Sequence, residues 1–462
     1  MMEIENWLTS PKTIEKSKRY YSHFDYRTDI SKCGEYISQP KNIETHSFYP
    51  FVHYLKDMSK YSRAKKGLKE KHRDICYAAH IDRCIFQYYN FLLNELYNNE
   101  CDQLGISDVA IAYRTNLKGQ SNIDFAKKAI QCIRDSGDCY IMIGDFTKFF
   151  DNLDHTYLKS QWCNLLQVSK LPPDHYAVFK NITRFSYVEL SDLFTLHNLD
   201  NNNAGRRALN EKKRLLTPTE LREKKIPIKK NRDAGIPQGS PMSGVLANLY
   251  TLEIDKKLHD FVSELNGMYM RYSDDFIVIL PHLDECDAIE NLKIVSRLFN
   301  SSAYPGLELQ PNKTQYYCFS QSKLENCGLK IDNEADCSNR SLNFLGFTFD
   351  GQKVSLRAKT TSKYYQRMRR KAKTISRSKN YTKTGKHISK KNLYEKYSMR
   401  GAESKKGNFL TYAKRAQSKF GENELISLVT DRNMKKVRHF LKKNYTPKKP
   451  IAKKEIIKSI EK

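Results

Sequence analysis

The stretch Met268-Tyr-Met-Arg-Tyr-Ser-Asp-Asp-Phe-Ile-Val-Ile-Leu280 sets two adjacent carboxylates, Asp274 and Asp275, between two apolar runs. Short apolar runs around a polar turn read as the arms of a β-hairpin, with the acids at its tip. Stiff strand flanks hold two acids close despite their repulsion, and a divalent cation relieves it; paired carboxylates are hard oxygen ligands suited to Mg²⁺. Acid pairs are also common in solvated turns. What this pair means depends on what the rest of the chain sets beside it.

The 462 residues allow two or three subdomains with sizeable cores. Hydrophobic content is 39%, with 11% aromatic, which excludes a disordered chain. The formal charge of +28, from 80 Lys+Arg against 52 Asp+Glu, predicts a polyanionic partner through counterion release from phosphates. A membrane surface would attract the same charge. No run approaches the roughly 18 apolar residues of a transmembrane helix, and the N-terminus has no signal-peptide apolar core. The expectation is therefore nucleic acid and no membrane. Eleven Cys occur without a Cys-x-x-Cys pair or a Cys/His block of zinc spacing, which predicts reduced structural thiols and a cytoplasmic location.

Along the chain, Ile85, Tyr88, Tyr89, Leu92, Leu93 and Leu96 recur at helical spacing and predict a packed helix over 81–96. Cys139-Tyr-Ile-Met-Ile-Gly-Asp-Phe146 reads as a buried strand ending in an acid, and Leu171-Pro-Pro-Asp174 as a helix break. From Leu190 to Arg232 the pattern loosens into an insertion or mobile loop, closed by Gly235-Ile-Pro-Gln-Gly-Ser-Pro241. Ser240 reads as the N-cap of a helix starting at Pro241. One long amphipathic helix is expected from there, carrying Val245, Leu249, Leu252, Leu258, Phe261 and Leu265, with another over Cys286–Phe299. Residues 361–380 hold eight Lys/Arg and no acid, the start of a basic helical domain running to the C-terminus.

A strand ending in Asp145 and a hairpin ending in Asp274-Asp275 can pair in one antiparallel sheet. That would set three carboxylates around two metal ions ~3.5–4 Å apart. The order of segments resembles reverse transcriptases, especially the bacterial kind found with group II introns, retrons and phage-defence loci. The resemblance runs from about Lys69 to about Ser376. It rests on Gly144-Asp-Phe-Thr-Lys-Phe-Phe-Asp-Asn-Leu-Asp-His155, Gly235-Ile-Pro-Gln-Gly-Ser-Pro241 and the Tyr272-Ser-Asp-Asp275 box. Each motif alone is modest; the ordered set is specific.

The resemblance implies an α+β fold: a right-hand polymerase of fingers, palm and thumb, with an antiparallel palm sheet and a helical C-terminal thumb and extension. Its segments would be an N-terminal extension (1–68), fingers (69–138), palm (139–350, with the insertion 190–232) and basic thumb (351–462). Asp145 and Asp274 would be the main ligands of two Mg²⁺ ions, with Mn²⁺ as the alternative; Asp275 and the Phe146 carbonyl would assist. Lys313 would protonate the leaving pyrophosphate. Phe150 would be the steric gate against a 2′-hydroxyl, Gln238 would touch the incoming nucleotide, and Arg73 would grip its triphosphate. Gly239, the hairpin residues Phe344, Leu345 and Gly346, and Arg369 and Arg370 of the basic helix would contact primer and template. Against each stands a bland reading: Phe149 or Phe150 in the core, Lys313 and Arg73 as solvated charges, Phe344 as packing.

The implied activity is RNA-directed DNA synthesis from dNTPs on an RNA template, a dedicated non-coding RNA, giving cDNA in a bacterial anti-phage role. The rivals are a retron or group II intron enzyme, a non-catalytic RNA-binding scaffold of the same fold, and an RNA-dependent RNA polymerase, for which Asp151 beside Phe150 would be the ribose acceptor. The box has Ser273 where intron enzymes commonly have Ala, and the C-terminus does not resemble a maturase or zinc endonuclease tail. Sequence leaves oligomeric state and priming mode open.

Overall fold

The computed structural model describes residues 4–442, except 57, 63–66, 224–225, 232, 333–336, 379–380 and 382–386; for 58–62, 67–71 and 218 it describes backbone alone. Parts of the basic stretch Lys60–Lys71 and of the C-terminal segment therefore lie outside the described residues.

Four helices, α1 (Ile4–Thr9), α2 (Pro11–Ser17), α3 (Ile30–Ser38) and α4 (Pro40–Glu44), lead into strands β1 (Phe51–Leu55), β2 (Met58–Ser62), β3 (Gly67–Lys71) and β4 (Asp74–Tyr77). Helices α5 (His80–Gln103) and α6 (Asn122–Ser136) precede β5 (Cys139–Asp145). Next come α7 (His155–Leu166), α8 (Pro173–Thr183), β6 (Ser186–Glu189), α9 (Leu190–Leu196), α10 (Asn203–Glu211), α11 (Pro218–Glu223) and β7 (Lys229–Lys230). The middle of the chain holds α12 (Ser243–Tyr250), α13 (Leu252–Glu264), β8 (Met268–Tyr272), β9 (Asp275–Pro281) and α14 (Glu285–Phe299). It continues through β10 (Gln315–Ser320), β11 (Lys323–Asn326), α15 (Gly328–Ile331), β12 (Leu342–Phe344), β13 (Phe347–Phe349) and β14 (Val354–Leu356). Helices α16 (Ala358–Arg377), α17 (Lys391–Tyr397), α18 (Met399–Ala402), α19 (Phe409–Phe420) and α20 (Asn433–Lys442) follow.

These elements form two compact units. The first takes the described residues of Met1–Gly119, Tyr140–Tyr316 and Cys327–Asp336; the second takes those of Gln120–Cys139, Tyr317–Asn326 and Cys337 onward. The division cuts across the segments read from sequence. Helix α6 belongs to the second unit, where Arg134 pairs with Glu424 at 2.8 Å and Asp124 with Lys419. Its apolar stripe, Ile123, Ala126, Ile130 and Ile133, is buried at helical spacing and finds its packing there.

In the first unit, one sheet runs β4-β1-β6-β7, with β1 and β6 parallel and the other pairs antiparallel. In a second sheet β9 lies between β5 and β8. The β8–β9 hairpin pairs Tyr272 with Asp275. Strands β5 and β9 are apolar almost throughout and buried accordingly, while α5 buries residues on nearly every turn.

Two expectations need correcting. Residues 190–232 are not a mobile loop in their described part: α9, α10 and the connecting residues Leu215, Leu216 and Ile226 bury Leu190, Leu193, Phe194 and Leu209 in one cluster with Val52 and Val188. The charged residues between them masked that periodicity. The long amphipathic helix is two helices, α12 and α13. Thr251 separates them, its hydroxyl donating back to the Ala247 and Asn248 carbonyls, a competition with the helical ladder that bends helices.

In the second unit, β12, β13 and β14 form an antiparallel meander, and β10 and β11 a hairpin. The basic helix α16 buries Tyr364, Met368, Ala372 and Ile375 at spacings of four, four and three, against Leu393 and Val437. Among the described residues no helix is long and apolar enough to cross a membrane.

Candidate active site

Strand β5 delivers Asp145 to its end, and its approach to β9 depends on Gly144. A Cβ there would lie 2.4 Å from the Phe276 ring, so only glycine lets the two strands close. The Phe146 N–H then donates to the Asp274 carbonyl at 3.3 Å, which places Asp145 beside the hairpin turn. Asp145 and Asp274 are half-buried, whereas Asp275, the first residue of β9, is exposed. On the other side, Gln310 N–H donates to the Asp145 carbonyl at 2.9 Å and Thr147 N–H to the Glu308 carbonyl at 2.8 Å. The short helical turn Pro311–Lys313 follows, and the Lys313 ammonium donates to Asp145 Oδ1. Lys313, which sequence offered as a proton donor to pyrophosphate, thus sits on the Asp145 carboxylate.

The turn itself is held from beneath. Ser273 has φ +63°, unusual for a residue with a Cβ. Arg271, fully buried, donates from Nη1 to the Ser273 carbonyl at 2.8 Å. The same guanidinium pairs with Asp255 of α13 through Nη2 at 2.6 Å and Nε at 2.9 Å, and Tyr269 donates to that carboxylate at 2.8 Å. Burial by itself would lower the Arg271 pKa, but the Asp255 charge and its hydrogen bonds raise it well above the ordinary value. An ion pair this deep is held by geometry: each charge is fully bonded, and neither can lose its partner cheaply.

Beyond Asp145 the chain turns through Lys148, at φ +44°, into Phe149-Phe150-Asp151. Phe149 is buried, its ring stacked on Phe146 at 5.4 Å, whereas Phe150 is half-buried and faces a pocket of about 390 Å³. Gln238, Gly239, Ser243 and Tyr113 line the same pocket. The segment before Gln238 lies along this turn: Gly235 N–H donates to Leu153 O at 2.8 Å and Ile236 N–H to Phe150 O at 2.9 Å. Gln238 Nε2 donates to Asp151 Oδ1 at 3.1 Å, so Asp151 orients the glutamine amide. Gly239, at φ +117°, would put a Cβ 2.5 Å from the Cys76 carbonyl. Ser240 is not the N-cap expected: α12 starts at Ser243, whose hydroxyl donates to the Pro237 carbonyl at 2.7 Å, and the cap position is Met242. The proline-rich turn needs two further residues before its backbone becomes helical.

Arg73 is exposed, its backbone paired with Lys56 in both directions just before β4, whose Cys76 N–H donates to the Gln238 carbonyl at 2.9 Å. The remaining predicted contacts lie in the second unit. Phe344 is core; Leu345 and Gly346 form the two-residue hairpin turn with φ of +46° and +93°. Asn122 donates to the Leu345 carbonyl at 2.9 Å, and Arg357 N–H to the Gly346 carbonyl at 3.0 Å. Arg370 and Arg369 are exposed on α16, but the Arg369 guanidinium lies over the Phe440 ring at 5.8 Å.

Asp145 and Asp274 offer two hard carboxylates from neighbouring strand ends, a donor set that suits a divalent ion completing its shell with water and phosphate oxygens. Among the described residues, no three His, Cys, Asp or Glu side chains group as a ready-made cage. The Lys313 ammonium on Asp145 marks that oxygen as a place for positive charge.

Sequence reading missed Tyr113, Asp255 and Arg271. The one signal was Arg271 itself, a charge inside an otherwise apolar strand; its partner lies sixteen residues upstream.

A family model described as reverse transcriptase (RNA-dependent DNA polymerase) matches residues 64–349. No curated protein matches the chain by sequence. Similar solved structures include an apo telomerase from Candida tropicalis lacking its C-terminal domain, at 14% identity and TM-score 0.39, covering 72% of this chain and 61% of that one. Another is the Candida albicans telomerase in complex with a fragment of telomeric RNA, at 12% identity and TM-score 0.36, covering 93% and 67%. A further apo telomerase from Candida tropicalis has 12% identity and TM-score 0.40, covering 96% and 76%.

Proposed function

The chain belongs to the reverse transcriptase family, and from that premise we propose that it is an RNA-directed DNA polymerase working by two-metal nucleotidyl transfer. The observation that carries this reading is the meeting of Asp145 and Asp274, joined by the Phe146–Asp274 backbone hydrogen bond, with Lys313 on Asp145.

Asp145 and Asp274, with Asp275 beside them, would hold two divalent ions, Mg²⁺ or Mn²⁺. When bound, these supply a lowered pKa for the primer 3′-hydroxyl and charge stabilisation for pyrophosphate. The primer 3′-hydroxyl gives its proton to water as its oxygen attacks the α-phosphorus of a dNTP and the bond to the β-phosphate oxygen breaks. Lys313, beside Asp145, would donate the proton that the leaving pyrophosphate takes up. Phe150 excludes a ribose 2′-hydroxyl, Gln238 meets the nucleotide with its amide fixed by Asp151, and Arg73 supplies charge for the triphosphate. Gly239, Phe344 to Gly346, Arg369 and Arg370 complete the proposed contacts to primer and template. The segments named fingers, palm and thumb carry over as part of the same reading.

Within the family, the motif resemblance supports a bacterial defence-associated enzyme copying a dedicated non-coding RNA in the cytoplasm. Extension of a DNA primer on matched RNA and DNA templates, with dNTPs or rNTPs, tests the activity. Addition of dNTPs on RNA is expected; addition of rNTPs alone would replace the reading with an RNA polymerase. Sequencing the RNA and DNA that co-purify from cells tests the template: one recurrent small RNA with its complementary DNA is expected, and intron or branched retron products would reassign the subgroup.

A further inference from the structure

Tyr113 is conspicuous in the first unit. It is a non-glycine residue at φ +63°, and it leaves 48% of its surface exposed, so burial does not compensate for the strained backbone. Strain of this kind persists only where neighbours over-determine it. Here they do: Arg271 N–H donates to Val109 O at 2.8 Å, Ile111 N–H to Arg271 O at 3.0 Å, and Asn248 Nδ2 to Ala112 O at 2.7 Å. The backbone leading into Tyr113 is thus pinned both to β8 and to α12.

Its side chain then makes two contacts. The hydroxyl is 3.0 Å from Ser273 Oγ, in the carboxylate turn. The ring lies against Gly244, where a Cβ would come within 2.6 Å of Tyr113 Cγ, and it walls the pocket that Phe150 and Gln238 also line. Partial burial raises the phenol pKa, and the Ser273 hydrogen bond opposes that rise. An Ala in place of Ser273 would keep the turn but lose this bond.

We propose that Tyr113 is a positioning residue that couples the nucleotide pocket to the carboxylate turn: its ring forms a wall for the incoming dNTP, and its hydroxyl, through Ser273, sets the orientation of Asp274. The inference rests on the polymerase reading above and assigns it a residue that the sequence motifs do not contain.

Three variants separate the two contacts: Tyr113→Phe removes the hydroxyl, Ser273→Ala its partner, and Tyr113→Ala the ring. Single-nucleotide addition and direct binding of dNTP to the full chain are measured for each, with thermal melting as the check on folding. Tyr113→Phe and Ser273→Ala are each expected to lower kcat about three- to tenfold with KM for dNTP unchanged, the worth of one hydrogen bond. The double variant is expected to be no slower than either single one, because both remove the same bond. Tyr113→Ala is expected to weaken dNTP binding about tenfold or more, the loss of an aromatic contact. Additive kcat losses in the double variant, wild-type kcat in either single variant, or wild-type dNTP binding by a folded Tyr113→Ala would overturn the inference alone. A wild-type chain that neither binds nor adds dNTP would overturn the polymerase reading and this inference with it.

Discussion

Phe149 and Phe150 are adjacent and chemically identical, yet one packs on Phe146 in the core and the other faces the pocket beside Gln238. The two rings touch, with centroids 5.4 Å apart and planes tilted by 58°, so one shields the other from the core. If Phe150 is the sugar gate, Phe150→Val should raise rNTP incorporation relative to dNTP by about tenfold or more, read from competitive extension; unchanged selectivity would remove the assignment. Arg271 belongs to the same scale. Arg271→Met leaves Asp255 buried and unpaired, a cost of about 3–5 kcal/mol in denaturant unfolding, and Asp255→Leu added to it should recover most of that stability. Nucleotide addition should stay impaired in the double variant, since the Ser273 carbonyl has lost its donor. Asp145, Asp274, Lys313 and Phe150 could be picked out as candidates in sequence because their motifs are contiguous and ordered. Tyr113 and Asp255 were not, because their significance comes from partners 160 and 16 residues away.

At the scale of elements, the end of α2 and the segment leading to α3 clamp the start of α5. Arg83 Nη1 donates to Ser17 O at 2.7 Å, Ile81 N–H to Asp25 Oδ2 at 2.8 Å, and Tyr21 to Ala78 O at 2.9 Å. His23 is fully buried in this clamp, 3.3 Å from the Tyr77 carbonyl, and burial, then the charge of His80, lowers its pKa to about 3. A depressed folded-state pKa means that the neutral imidazole is favoured in the fold. Its contribution is complete above the unfolded value of 6.5 and is lost as pH falls toward 3. From pH 8 to pH 5 the wild type should lose about 2 kcal/mol relative to His23→Phe, measured by denaturant unfolding of both proteins. The comparison isolates His23 from Asp82, whose burial raises its carboxyl to about 6 and whose effect has the opposite sign. A parallel pH dependence in the two proteins would contradict this. Strand β5, helices α5 and α14 and the acid hairpin were readable from apolar periodicity. The break at Thr251 and the packed helices of 190–223 were not, because a single back-bonding hydroxyl and a high density of charge leave no periodic trace.

For the whole molecule, the +28 charge supports the nucleic-acid partner proposed above. The chain divides by packing rather than by sequence order, since α6 spends its apolar face on elements almost 300 residues later, as the Asp124–Lys419 pair records. No local pattern announces such a destination. The carboxylates, Lys313 and the pocket of Phe150 and Gln238, by contrast, lie wholly in the first unit, within the span matched by the family model. Asp145 and Asp274 are proposed to act together in nucleotide addition. Single-nucleotide addition to a primer on an RNA template with Mg²⁺, comparing wild type with Asp274→Ala, tests it most directly. The wild type is expected to add dNTP, and the variant to be slower by at least about a hundredfold while still binding primer–template. Equal rates, or no addition by the wild type on any of several templates, would contradict it.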